Sequence, residues 1–445
     1  QEGIELAQGF ERYSFKANSD IKVGKRKQFT FGESLLVSFI DRLVQSEGNR
    51  FAAFNSARNA PYFKIFNPDG PFGYNPENPT TTGGATGANY VYRSDLNVEE
   101  TRVRSRKVLG NIYGQLEIIE GLTFKMSAGI DYNVGDGFFY QAPVTFTQIE
   151  DPRLSLLVQS RPIELTTNLA NTLTYSKAFG QHNLTVLLGH EETNFRFDKL
   201  RVQGRDLAFP DVIRFGSVAN VVAAGNEADH WALRGFLGRV NYSYGGKYLA
   251  TFNVRRDASS RFSEDNRSDI FPSASVGWRI SEESFFPETS FIDDLKVRVG
   301  WGESGNQFTG LNFAYLSSLN INPFYVLGVG QNVVRAPVPT SFANADLRWE
   351  TSTQTDIGLD AAFWQGQLEL TFDYYDKVTS DVLIGLPIPA VSGFFLPTDA
   401  NIGEIRNNGI ELALNYRGRS GDLEYSIGGN FTTVNNEVTS LGEIT

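Results

Sequence analysis

The feature that most constrains this chain is a strict two-residue alternation of apolar and polar side chains, repeated in segment after segment and broken by turn-forming residues. From Phe236 to Tyr244 one face carries Phe236, Gly238, Val240, Tyr242 and Tyr244, and the other Leu237, Arg239, Asn241 and Ser243. After Gly245-Gly246, Tyr248, Ala250, Phe252 and Val254 alternate with Leu249, Thr251, Asn253 and Arg255. Successive side chains of a strand point to opposite faces, so the two segments predict an antiparallel hairpin with one oily and one wet side. The arrangement recurs. Leu122, Phe124, Met126, Ala128 and Ile130 oppose Thr123, Lys125, Ser127, Gly129 and Asp131; Leu368, Leu370, Phe372 and Tyr374 oppose Glu369, Thr371 and Asp373; Ile410, Leu412, Leu414 and Tyr416 oppose Glu411, Ala413, Asn415 and Arg417.

The connections alternate in length. Short ones fall at Gly24 to Lys27, Glu120-Gly121, Gly180-Gln181, Gly245-Gly246, around Asp293-Asp294, Gln365-Gly366 and Ser420-Gly421. Between them lie mostly long segments, roughly 43–105, 135–162, 201–230, 262–269, 304–350 and 383–404, where Gly, Pro, Asn and Asp collect. Seven short turns imply about fourteen strands. Short turns at one end and long loops at the other are the pattern of a bacterial transmembrane β-barrel, with its turns in the periplasm and its loops outside the cell. The predicted fold class is therefore all-β, an antiparallel transmembrane barrel. Composition agrees: 35 Phe, 18 Tyr and 43 Gly against one Met favour strands and turns over helical cores. A propeller or solenoid would repeat at a fixed period, which these unequal loops lack. A soluble sandwich would need two unusually large sheets.

No run of about 18 apolar residues is present, so no transmembrane helix is expected. A barrel strand needs apolar residues only at every second position, so a mean hydropathy of −0.26 is compatible with a membrane location. Aromatic residues flank the short turns: Tyr242, Tyr244 and Tyr248 at one, Tyr175 and Phe179 at another, Phe363 with Trp364, and Tyr416 with Tyr425. Rings with a polar tip favour the lipid–water boundary, and these predict a periplasmic girdle. At the opposite end, the stretch RRDASSRFSEDNR, Arg255 to Arg267, has four positive and three negative residues and is expected at the barrel mouth, where mixed charge can pair. Arg239, Asn241, Lys125, Asp131, Glu369 and Asp373 are expected to line a wet lumen.

Little else in the chain points to chemistry. A net charge of −11 and a pI near 5.0 leave no basic excess for a nucleic-acid partner, and Lys25-Arg26-Lys27 suits a solvated turn. The absence of cysteine excludes disulfides and thiolate metal sites. Gly300-Trp301-Gly302-Glu303-Ser304-Gly305 matches a G-x-G-x-x-G string, but Asn306 to Gly310 does not open the helix a dinucleotide site needs. His182, His190 and His230 are scattered, and no Ser/His/acid arrangement stands out, so neither cofactor, metal nor catalytic residue is expected. Asn67-Pro68-Asp69-Gly70 and Asp399-Ala400-Asn401 are explained by turns. Phe324-Tyr325 and Phe394-Phe395 could stack on a sugar or peptide, or fold inward to pack the loops.

Several blocks closely resemble one family. They are Arg255 to Phe286 (RRDASSRFSEDNRSDIFPSASVGWRISEESFF), Ile292 to Gln307 (IDDLKVRVGWGESGNQ), Asp346 to Asp360 (DLRWETSTQTDIGLD), Tyr374 to Gly385 (YYDKVTSDVLIG) and Asn401 to Leu414 (NIGEIRNNGIELAL), with His182 to Glu192 (HNLTVLLGHEE) a weaker match upstream. Together they resemble the C-terminal barrel region of SusC/RagA-type TonB-dependent outer-membrane transporters, as found in Bacteroidetes. The resemblance implies a 22-stranded barrel around an N-terminal plug, with no catalytic residues. It also implies import of glycans or peptides, a SusD-like lipoprotein as lid, and energy from TonB. On that expectation residues 1–445 form one partial barrel domain with about fourteen of the strands, and the plug, TonB box and final strands lie outside it. The alternatives are a passive porin-like barrel and an outer-membrane hydrolase.

Overall fold

The computed structural model describes residues 8–25, 28–44, 66–69, 99–142, 155–209, 212–287, 291–308, 310, 312–321, 323–339, 343–386, 389, 391 and 398–442. The strands are β1 (Gly9–Val23), β2 (Phe29–Val44), β3 (Glu99–Ile119), β4 (Leu122–Gln141), β5 (Leu156–Phe179), β6 (His182–Leu207), β7 (Val218–Tyr244), β8 (Tyr248–Ser259), β9 (Ser268–Arg279) and β10 (Ile292–Asn306). Four short strands follow, β11 (Leu319–Asn320), β12 (Phe324–Leu327), β13 (Asn332–Arg335) and β14 (Val338–Pro339). The chain then returns to the main sheet with β15 (Glu350–Phe363), β16 (Leu368–Leu386), β17 (Thr398–Ser420), β18 (Leu423–Thr432) and β19 (Asn435–Ser440). Fourteen strands pair in the order β1 to β10, then β15 to β18, and β19 continues the line of β18 beside β17. Every pairing in this sheet is antiparallel, and along the fourteen-strand path the strands follow one another in chain order, as an up-and-down barrel wall requires. The first and last strands of this wall do not pair with each other.

Register carries the alternation from strand to strand. Val240 lies opposite Phe252, Phe252 opposite Ala274, and Ala274 opposite Trp301. Leu359 likewise meets Phe372, and Phe372 meets Leu412. All of these point outward. Phe252 is 51% and Val276 58% exposed, a waste of apolar area in water but the required condition against acyl chains. The aromatic girdle forms as expected: Tyr244 stacks with Tyr248 at 6.3 Å, Phe363 with Phe291 at 5.9 Å, and Tyr416 lies 6.0 Å from Tyr425.

Short turns stand close to their predicted places, with one exception. Asp293 and Asp294 lie inside β10, and the described part of the β9–β10 connection holds a 3-10 turn, Ile280–Glu282. A register irregularity between Ile292 and Asp294 explains the shift, since Asp294 turns to accept from Arg279 and Ser281 Oγ. Glu283 anchors this connection, accepting from Tyr248 Oη at 2.5 Å, Trp278 Nε1 at 3.1 Å and Lys247 Nζ at 3.3 Å. Those donors, the Tyr248 hydroxyl first, hold its carboxyl below the ordinary glutamate value. At Glu120-Gly121 the turn demands glycine: Gly121 has φ +80°, and a Cβ there would meet the Ser176 carbonyl oxygen.

On the long-loop side the strands run further than the alternation predicts. β4 reaches Gln141, β5 starts at Leu156, β6 reaches Leu207 and β7 starts at Val218, all inside segments expected to be loop. Beyond the bilayer apolar and polar residues no longer alternate, so the period-two signal stops while the backbone ladder continues. Cross-strand pairs such as Lys199–Glu227 at 3.2 Å sit in these extensions. The G-x-G-x-x-G string, Gly300 to Gly305, also lies wholly within a strand, β10.

Candidate functional site

The wet face of the wall is a network of paired side chains. Arg239 Nε donates to Asn253 Oδ1 at 2.6 Å, and Asn253 Nδ2 donates to Ser273 Oγ at 3.0 Å, one link per strand across β7, β8 and β9. Thr251 Oγ1 donates to Asn241 Oδ1 at 3.0 Å one step toward the short turn. On β10, Lys296 and Arg298 both reach Asp360 of β15, at 3.1 and 3.0 Å, and Arg298 reaches Asp373 of β16 at 2.7 Å. The side chains of Lys296, Arg298 and Asp373 line an open recess of about 750 Å³ together with Gln354, Lys377 and Glu411. Fixed charge of both signs with an open side can hold a polar cargo or a polar protein segment without a large desolvation cost.

The inward residues expected from sequence are all on this face, but in separate groups. Lys125 Nζ lies 4.4 Å from the Tyr113 ring centre, and Tyr113 Oη donates to Asp20 at 2.5 Å. Asp131 pairs with Lys107 at 2.8 Å, and Glu369 with Arg417 at 3.6 Å. Only Asp373 belongs to the recess around Arg298. The histidines stand apart, each against an aromatic ring: His182 and Phe179 at 5.1 Å, His190 and Phe236 at 4.9 Å, His230 and Phe313 at 4.9 Å.

At the mouth, the charged stretch Arg255 to Arg267 is a built turn. Arg255 bridges Asp257 at 2.7 Å and Glu191 of β6 at 2.9 Å, while the buried Ser259 closes the turn by donating its N–H to Arg267 O at 3.0 Å. Between them Phe262, fully buried, packs with Phe271, Leu347 and Trp349. Trp349 lies 5.4 Å from both Phe262 and Phe271, and its Nε1 donates to Arg267 O at 3.1 Å. Ser263 and Asn266 both donate to Ala345 O, and Asn344 donates to Asp399 O at 2.8 Å, which ties the 307–349 connection and β17 to the same turn. Beside this core Arg261 donates to Asn312 Oδ1 at 2.6 Å, and its guanidinium covers Trp231 at 4.9 Å and Phe308 at 5.6 Å. Burial pulls the Arg261 guanidinium down in pKa, and Asp229 opposes that shift.

Sequence reasoning assigned pairing to this stretch and missed its apolar centre. One phenylalanine in a polar run and one tryptophan before a strand were the only signals. Phe324 and Tyr325, considered for stacking, lie exposed on the β12–β13 hairpin, and Phe394-Phe395, Arg26-Lys27 and Gly70 lie outside the described residues. Asp69 N–H donates to Asn67 Oδ1 at 3.2 Å, an Asx turn that accounts for that segment.

Comparison with known proteins agrees with this architecture. Residues 42–444 match the family described as TonB dependent receptor-like, beta-barrel. The chain is 31% identical to TonB-dependent receptor P3 of Formosa agariphila over 99% of its own length and 43% of that protein's. It is 32% identical to TonB-dependent receptor SusC of Bacteroides thetaiotaomicron over 60% of its own length and 26% of that protein's. Among solved structures, that of the RagAB peptide transporter superposes with a TM-score of 0.81 at 23% identity, covering 98% of this chain and 47% of that one. The ferric citrate transporter FecA superposes with a TM-score of 0.56 at 10% identity, over 98% of this chain and 53% of that one. The chain thus spans less than half the length of either receptor, P3 or SusC. With a receptor-family match over most of its length, an oily outward face and a paired polar lumen, the chain belongs to the TonB-dependent receptor β-barrel family of the outer membrane.

Proposed function

We propose that this wall is part of an energised importer, which takes up glycans, peptides or nutrients of similar size and works with a SusD-like lipoprotein over its mouth. The observation that carries the reading is the lumen. A family barrel presents a largely polar, charge-paired face, with the recess around Arg298 open to the interior and a packed, aromatic-flanked mouth above it. Fixed charges of both signs suit a peptide, and the Asn, Ser and aromatic side chains near the mouth suit a sugar. TonB supplies energy through a plug, and the relatives' names as TonB-dependent receptors support that coupling.

The test is growth on a single nutrient in the native host. A deletion strain is complemented with the full-length gene and supplied in turn with oligopeptides and oligosaccharides as sole source. Loss of growth on one class, restored by the gene only when TonB is intact, supports energised import of that class. TonB-independent restoration favours a passive porin-like barrel. Labelling of the folded protein by a serine-reactive probe favours an outer-membrane hydrolase.

A further inference from the structure

The outward face carries a second built cavity, distant in function from the lumen. On β3, β4 and β5 the oily outward row ends at Val108, Val134 and Ile163; Val134 lies opposite Ile163, and Val108 lies opposite Tyr132, one pair nearer the short turn. The next outward positions are charged: Arg106, Arg104 and Arg102 on β3, Asp136 on β4 and Arg161 on β5. Asp136 lies 14 residues beyond Leu122, or about 46 Å along the strand at ~3.3 Å per residue. At a tilt of ~45° that is roughly 33 Å of height, just past an apolar band about 25 Å tall. Residues 212–217 fold over this face from outside. Ile213 and Phe215 pack on Tyr140, Ala142 and Leu157, and Ser217 Oγ donates to Arg214 O at 2.9 Å, which fixes the segment in place. The open cleft beneath it, about 680 Å³, is lined by Glu100, Arg102, Arg104, Asp136, Arg161 and Arg214.

The cavity is short of negative charge. Arg104 pairs with Asp41 at 3.0 Å, Arg102 lies 3.3 Å from Glu100, and Asp136 is held by Arg106 at 3.2 Å. Arg161 and Arg214 take part in no ion pair among the described residues. The buried Arg102 Nε also lacks an aligned acceptor. Four guanidiniums thus line the cavity against two carboxylates, Glu100 and Asp136, and the excess opens sideways at the lipid boundary rather than into the lumen.

We propose that this cavity binds the phosphate of a phosphorylated glycolipid headgroup in the outer leaflet. Guanidinium forks match phosphate oxygens two at a time, and the oily outward row beneath, Ile130, Val108 and Ile163, receives acyl chains of the same molecule. A soluble anion would gain nothing from that second contact. Full-length protein purified from outer membranes is titrated in detergent micelles with phosphorylated lipid A, with phosphatase-treated lipid A and with inorganic phosphate. Phosphorylated lipid A is expected to bind at least about tenfold tighter than the treated lipid, and R161Q/R214Q to lose about tenfold, the scale of one charge-assisted contact. R161K/R214K, which keeps charge without the fork, is expected to lie between, and heat-modifiable gel mobility reports that each variant is folded. Equal binding of the two lipids, or a folded R161Q/R214Q protein that binds like wild type, overturns the proposal. Inorganic phosphate that competes as well as the lipid assigns the site to a free anion and overturns it too.

Discussion

The bilayer assignment predicts that the cost of an outward charge follows depth. Phe252 sits between Val240 and Ala274 by register, four residues above Tyr248 at the girdle, or about 13 Å along the strand and ~9 Å in height. That is close to the middle of a hydrocarbon band ~25 Å tall, where an arginine costs about 2–4 kcal/mol. Leu370 also points outward, between Ala361 and Leu414, but it is the third residue of β16 and lies only ~5 Å above the turn end. Leu370→Arg is therefore expected to cost about 1 kcal/mol, because its head can reach the boundary. Thr371 points inward, opposite Asp360 and beside the Arg298 recess, where a new guanidinium finds water and carboxylates. Thr371→Arg is expected to change stability by less than about 0.5 kcal/mol. The assay is urea-dependent folding of the full-length protein into liposomes, read by heat-modifiable mobility. The order Phe252→Arg, then Leu370→Arg, then Thr371→Arg is the expected result. Equal penalties at Phe252 and Thr371 would refute the assignment of the oily face to lipid.

Three further outcomes are expected. Phe262→Ala or Trp349→Ala removes the centre of the mouth core and costs about 3–5 kcal/mol locally, seen as faster protease nicking within 307–349 while the barrel keeps its gel mobility. Gly121→Ala, forced to hold φ +80° against the Ser176 carbonyl, costs about 1–2 kcal/mol in liposome refolding. The Glu283 carboxyl is held below its ordinary value of 4.5, so its contribution to the β9–β10 connection is complete above that pH and is lost as pH falls through the lower folded value. Trp278 emission, reporting its hydrogen bond to Glu283, should step in that acid range, and the same step in Glu283→Gln would sink the assignment.

The barrel was legible because its defining signal is local. Register needs only the period-two rule and a turn: Phe236 to Val254 declares its oily face, and Gly245-Gly246 declares the hairpin. What stayed hidden is what the period does not encode. Above the bilayer neither face must meet lipid, so β6 and β7 run on through Arg196 to Leu207 and Val218 to Asp229 without a sustained hydrophobic alternation. The mouth core joins Phe262 to Leu347 and Trp349 across more than eighty residues, and no local pattern announces such a partner. The lumenal positions were assigned correctly one at a time, yet which of them meet depended on shear: Asp373 reaches Arg298 of β10 across β15, whereas Asp131 stays with Lys107.

The same residue type therefore does different work on the two sides of one sheet. Arg298 faces the lumen, where two carboxylates from two further strands satisfy it and its charge helps shape a polar recess. Arg161 faces outward at the end of an oily row, with no carboxylate partner among the described residues. The lumenal face is polar, so an unmatched charge there would cost little and carry little meaning. At the lipid boundary the alternatives are acyl chains or anionic headgroups, and an unmatched guanidinium stays there at tolerable cost when a headgroup answers it. Sequence parity separates the two arginines; only the fold shows that one is already paired and the other is not.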